Sequence, residues 1–142
     1  MRITEHSKPP LEDTGSGRVL TMDTPLTVLE AVERTKTHLK MPHLRLALAQ
    51  GAQMTSVVTS IGVCAGSGGS VLAGVKADLI LTGEMSHHEV LDFVAGGVTV
   101  YLADHSTTER GYLAEVTQWL GAMLEGVQIV VSAVDRDPLE IV

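Results

Sequence analysis

Two kinds of apolar spacing alternate along this chain. The first is helical: Leu26, Leu29, Ala31 and Val32 recur at intervals that put them on one face. Thr24-Pro25 reads as the helix start, a hydroxyl cap followed by a proline whose missing N–H costs nothing in the first turn. Pro42 predicts that the helix stops just before it. Five short runs rich in Val, Ile and Leu follow, at Leu44–Leu48, Val57–Val63, Asp78–Leu81, Val98–Leu102 and Val127–Val131. Most are apolar on both faces, as strands buried between two helix layers are. Helical patterns at Val71–Val75, His87–Val94 and Thr107–Leu124 separate the later runs. This alternation predicts an α/β fold, a three-layer sandwich in which helices flank a mostly parallel, or at least mixed, sheet.

Residues 1–17 lack periodicity and contain Pro9-Pro10 and Gly15-Ser16-Gly17, the composition of a linker or tail. Residues 18–142 then form one α/β domain, and 142 residues with 44% apolar content can bury a core of that size. A chain that opens on a linker is also expected to have another domain ahead of it. No run approaches the ~20 apolar residues of a membrane helix, and the polar start MRITEHSKPPLED fits no signal peptide. A soluble protein of the cytoplasm is expected, with the nucleus as a second location.

Charge and aromatic content narrow the function. The net charge of −7 is unevenly spread: residues 1–45 carry seven Lys/Arg against six Asp/Glu, residues 46–142 only three against eleven. An acidic body repels a phosphate backbone, and four aromatic residues (Phe93, Tyr101, Tyr112, Trp119) give little to stack bases on. No nucleic-acid partner is expected. The lone Cys64 excludes a disulfide framework and a Cys-based zinc finger. With no base indicated beside it in the sequence, it reads as a small buried apolar residue rather than a nucleophile.

In a parallel sheet the strand exits share one edge, where open α/β sheets bind ligands. Three consecutive exits here carry polar or glycine-rich motifs. Val63 leads into Cys64-Ala65-Gly66-Ser67-Gly68-Gly69-Ser70, Leu81 into Thr82-Gly83-Glu84-Met85-Ser86-His87-His88, and Leu102 into Ala103-Asp104-His105-Ser106-Thr107-Thr108-Glu109-Arg110. Around Gly66, Ser67, Gly68 and Ser70, backbone N–H groups and a helix start suit an anion, although the loop lacks a P-loop lysine. A tight strand-to-helix turn without a ligand explains the same glycines. His105 and Glu109, four apart, share a helix face, and an imidazole beside a carboxylate suits zinc, manganese, iron or cobalt. A surface ion pair explains that spacing equally simply. Glu84 is the candidate general base, or the carboxylate that orients a ligating histidine. His87, His88 and Asp104 are candidate supporting groups around the metal. Ser86 and Glu89 read as an ordinary capping box, which leaves Glu84 unexplained.

These three motifs in this order, with Gly111-Tyr112 after the last and Asp135-Arg136-Asp137-Pro138-Leu139 near the end, resemble the C-terminal half of the NIF-three-like family (Ngg-interacting-factor homologues) of eukaryotic type. The resemblance covers roughly residues 8–142. It implies one half of a two-half α/β fold around a dinuclear metal site, commonly assembled into toroidal homohexamers. It assigns His105 and Glu109 as two metal ligands, the others, a histidine pair and an aspartate, coming from an N-terminal half. This chain has only His6 ahead of its first helix and no His-His pair before residue 87. A metal site incomplete in this chain is therefore expected, with the ions held weakly or not at all.

Three functions follow as expectations. The first is the C-terminal half of a metal-dependent hydrolase acting on an unknown substrate, with the Gly66–Ser70 loop on an anionic group. The second is a non-catalytic regulatory protein with a transcription-related partner, as the family name implies. The third is a structural half whose polar edge serves assembly. Self-association into a dimer or larger ring is expected of each.

Overall fold

A computed structural model describes residues 15–139; most of the expected linker, residues 1–14, lies outside them. The order of elements is β1 (Arg18–Thr27), α1 (Val28–Leu39), β2 (Arg45–Ala47), β3 (Val57–Ser67), α2 (Gly69–Leu72), β4 (Leu79–Glu84), α3 (His87–Ala95), β5 (Thr99–Leu102), α4 (His105–Arg110) and α5 (Tyr112–Met123). The strands form one sheet in the order β1-β3-β4-β5-β2. Its centre, β3-β4-β5, is parallel, and both edge strands run antiparallel to their neighbours. It is the mixed form of the expected three-layer sheet.

Alternation along the central strands splits the core into two layers. On one face Val58, Leu79 and Tyr101 pack against Val28, Ala31 and Val32 of α1. On the other, Cys64, Ile80, Val100 and Leu102 meet Leu72 of α2, with Val90 and Phe93 of α3 around them. Tyr101 is fully buried and its hydroxyl donates to the Val28 carbonyl at 2.6 Å, stitching sheet to helix. Burial pushes its phenol well above the ordinary range. Cys64 is buried, as its apolar reading requires. Among the described residues no helix is long and apolar enough to cross a membrane.

Four expectations are corrected. Thr24 and Pro25 lie in β1, not at a helix start. The ladder between β1 and β3 shifts register between Thr21 and Leu26, so Pro25 falls in an irregular stretch of an edge strand, where its missing N–H is tolerated. The cap is Thr27, whose hydroxyl accepts from Glu30 N while the Glu30 carboxylate accepts from Thr27 N at 2.7 Å. The run Val127–Val131 is not a strand: no neighbour supplies a ladder, and Val127, Val130 and Val131 stay exposed. The helix expected at Val71–Val75 is a single turn, Gly69–Leu72. The helix expected from Thr107 begins at His105 and is divided into α4 and α5 at Gly111. The capping box of Ser86 and Glu89 forms as read, opening α3.

Candidate metal centre

The three polar motifs meet because the parallel centre of the sheet brings their strand exits together. Ser67 at the end of β3 is opposite Glu84 at the end of β4, and Leu102 at the end of β5 is opposite Thr82. Ala103 N then donates to the Thr82 carbonyl at 3.0 Å, and α4 starts two residues later, packed against β3 and β4. Asp104 makes the corner with φ 60° and ψ 145°, a conformation in which only glycine is unstrained.

His105 is held at both ring nitrogens. Its Nδ1 lies 2.8 Å from Glu84 Oε1, and its Nε2 lies 3.3 Å from Glu109 Oε1, one helical turn on. In the neutral ring, Nδ1–H donates to Glu84 and leaves the Nε2 lone pair facing Glu109. The hydrogen bond to Glu84, with the charge of Glu109 behind it, raises the His105 pKa above the ordinary imidazole value. About half of each of the three side chains is exposed, so a small ligand reaches them from solvent.

Two glycines let α4 come this close. Gly66 has φ 65°, and a Cβ there would lie 2.5 Å from Glu109 Oε1 and 3.1 Å from His105 Nε2. A Cβ on Gly83 would lie 2.7 Å from the Gly66 carbonyl and 2.8 Å from His105 Cα. Thr108 and Thr82, which sequence reasoning did not single out, secure the junction. Gly66 N donates to Thr108 Oγ1 at 2.9 Å, and Thr82 Oγ1 donates to the Gly66 carbonyl at 3.1 Å. Both threonines stand inside the quoted motifs, but only the fold shows that they face the same glycine.

The other candidates are placed differently. Gly68 N donates to the Glu84 carbonyl, so the amides of Gly66 and Gly68 are engaged within the protein. Ser67 and Ser70 are exposed, and their hydroxyls make no hydrogen bond among the described residues. Asp104 turns its carboxylate to Arg45, 3.5 Å away. His87 and His88 are exposed at the start of α3, their rings 6.5 Å apart, with no hydrogen bond to the His105 cluster. Burial, with the Glu109 charge second, pushes the Cys64 thiol upward, away from nucleophilic reactivity.

The donor chemistry fits a borderline divalent metal at two points, His105 Nε2 and a Glu109 oxygen. Glu84 sits on the opposite ring nitrogen and cannot share an ion with Nε2. Among the described residues no group of three or more His, Cys, Asp and Glu side chains is arranged to hold a metal ion. The set stops at two, short of the three or four that a protein site normally supplies.

The sequence profile of Duf34/NIF3 (NGG1p interacting factor 3) matches residues 2–138. The chain belongs to this family. It is 53% identical to the rat NIF3-like protein 1 over 99% of its own length and 38% of the relative's. It is 39% identical to the NGG1-interacting factor 3 of Saccharomyces cerevisiae, over 89% of this chain and 45% of that one. The chain thus spans less than half the length of these relatives. Among solved structures, a Bacillus cereus protein related to NIF3 superposes with a TM-score of 0.70 at 21% identity, over 90% of this chain and 36% of that one. Reduced HcgD from Methanocaldococcus jannaschii superposes at 0.62 with 27% identity, over 81% and 46%. Membership in the Duf34/NIF3 family fits a metal-related role.

Proposed function

We propose that this chain carries half of a divalent-metal site, with His105 and Glu109 as ligands, in a metal-dependent hydrolase whose remaining ligands lie outside the described residues. One observation carries this reading: the His105 ring is held at Nδ1 by Glu84, which presents Nε2 to the Glu109 carboxylate over a glycine whose missing Cβ lets both donors approach the loop. A surface ion pair needs no such lock. Zinc, manganese, iron or cobalt suits this nitrogen–oxygen pair, and when bound supplies Lewis acidity for hydrolysis. Glu84 acts as the positioning carboxylate, because its hydrogen bond to Nδ1 orients the ring.

With two ligands the isolated chain binds such ions weakly. Elemental analysis after dialysis is expected to find it nearly metal-free. In the full-length protein, stoichiometric metal that disappears in His105→Ala, together with metal-dependent turnover of a phosphoester panel, supports the proposal. Tight metal retained by His105→Ala sinks it. A second reading, a regulatory protein that acts through partners, is favoured by the yeast relative, which is named for interaction with NGG1. Self-association into a dimer or larger ring is part of either reading. It is supported by the exposed Trp119, Met123 and Leu124 on and after α5. The cytoplasm, with the nucleus as a second location, is the compartment proposed for both.

A further inference from the structure

We infer that the groove between the end of α1 and the α4–α5 corner is an anion subsite that takes the phosphate end of an organic phosphoester presented to the His105–Glu109 pair. The groove encloses about 820 Å³ and is lined by His38, Lys40, Thr107, Thr108, Arg110 and Tyr112, among others. Its position matters because cations are scarce on the body of this protein: from residue 46 onward only Lys76, Arg110 and Arg136 are basic. Arg110 stands here, and the left-handed turn after α1 adds Lys40. Glu115 is the one carboxylate on the lining.

The donors are available. Lys40 makes no ion pair among the described residues, whereas Lys36 is paired with Glu33 and Arg45 with Asp104. Arg110 gives one N–H to Asp135, and its Nε is buried without a hydrogen-bond partner. Arg110 also lines the neighbouring pocket that holds Asp135, so Lys40 is the groove's lysine without an ion pair among the described residues, with the Thr107 and Tyr112 side chains on the same lining. Met41 adds apolar lining for the organic part of a ligand.

The groove also shares a wall with the metal donors. Thr108 lines it, while its hydroxyl accepts from Gly66 N and donates to the His105 carbonyl at 2.8 Å. The alternative place for an anion, the glycine loop, has its Gly66 and Gly68 amides engaged and lies beside Glu84 and Glu109, whose charges repel anions. Positive charge and free donors are thus on the α1 side of α4, and the metal donors are next to the loop. A phosphoester spanning the two has its anionic end at Lys40 and Arg110. The groove stands on its own lining; only its service to a metal-bearing centre rests on the function proposed above.

Pyrophosphate and phenyl phosphate, titrated into this chain in metal-free buffer and followed by amide NMR, test the inference. Shifts are expected at Lys40, Met41 and Thr107–Tyr112, with affinity about tenfold lower in Lys40→Gln, the effect of one charge-assisted contact. Lys40 is exposed at the end of a helix, so this variant folds; Tyr112→Phe is a second, milder probe, expected to weaken binding less. Shifts centred on Gly66–Ser70, no shifts up to about 10 mM ligand, or equal binding by Lys40→Gln overturns it. Zinc titration of the same samples separates the two proposals. Pyrophosphate binding that survives while His105→Ala leaves zinc binding unchanged sinks the metal reading and supports the groove.

Discussion

The two ends of β4 carry carboxylates that are used in opposite ways. At the start, one oxygen of Asp78 accepts four hydrogen bonds, from Thr59 N and Oγ1 at 2.7 Å each and from Ser60 N and Oγ at 2.9 and 3.1 Å. At the other end, Glu84 accepts from a single partner, the His105 ring, and remains half exposed. Partial burial works against the Asp78 charge, but the bonds from Thr59 and then Ser60 outweigh it and hold the carboxyl below the ordinary aspartate value. Four bonds gathered on one oxygen tie β3 to β4. A carboxylate with free lone pairs, set against a histidine, contributes little to folding and remains available for chemistry.

The sharpest way to break the contrast is Gly83→Ala. Its methyl meets the Gly66 carbonyl and the His105 backbone, so α4 must lift off the sheet. A loss of roughly 2–3 kcal/mol is expected, read by urea denaturation, with the His105–Glu84 bond lost in the NMR spectrum. Stability equal to the parent means that the site end is looser than this geometry requires.

Asp78→Ala comes next, at about 1–2 kcal/mol, because four donors lose their acceptor where water can partly replace it. The sign with pH follows from the lowered pKa. The stabilisation from the ionised carboxylate is present above the aspartate pKa of the unfolded chain and disappears as pH falls through the lower folded value. The gap between parent and variant is therefore wide at neutral pH and narrow in acid. A gap that does not depend on pH means that the charge is not what Thr59 and Ser60 hold.

Glu84→Gln has the smallest effect on folding: its denaturation midpoint stays close to the parent's. The His105 pKa, read by NMR titration, falls toward the ordinary imidazole value, since the hydrogen bond to Glu84 is the main cause of its elevation. The pH sign is opposite to that of Asp78. Stabilisation from protonated His105 is complete below the unfolded imidazole pKa and is lost as pH rises through the raised folded value. An unchanged His105 titration means that the Glu84 contact does not persist in solution.

Local pattern carried the central strands, α3 and the capping box of Ser86 and Glu89, because short continuous apolar runs and helix caps are short-range signals. It also carried the meeting of the three motifs, since parallel neighbours must send their exits to one edge. It failed at β1, where Thr24-Pro25 imitates a helix start but the strand is held by its ladder to β3. It failed again at Val127–Val131, which has strand composition and no ladder partner.

What the sequence by itself determined, then, is that polar motifs follow the three central strands and that His105 and Glu109 share a helix face, because spacing of four along a helix is a local property. The tertiary structure alone decided which ring nitrogen Glu84 holds, that Thr108 and Thr82 clasp Gly66 from two elements, and that Lys40 and Arg110 line one groove. These relations join residues up to 70 positions apart (Lys40 and Arg110), and only the packing of α1 and α4 on their strands brings such partners together.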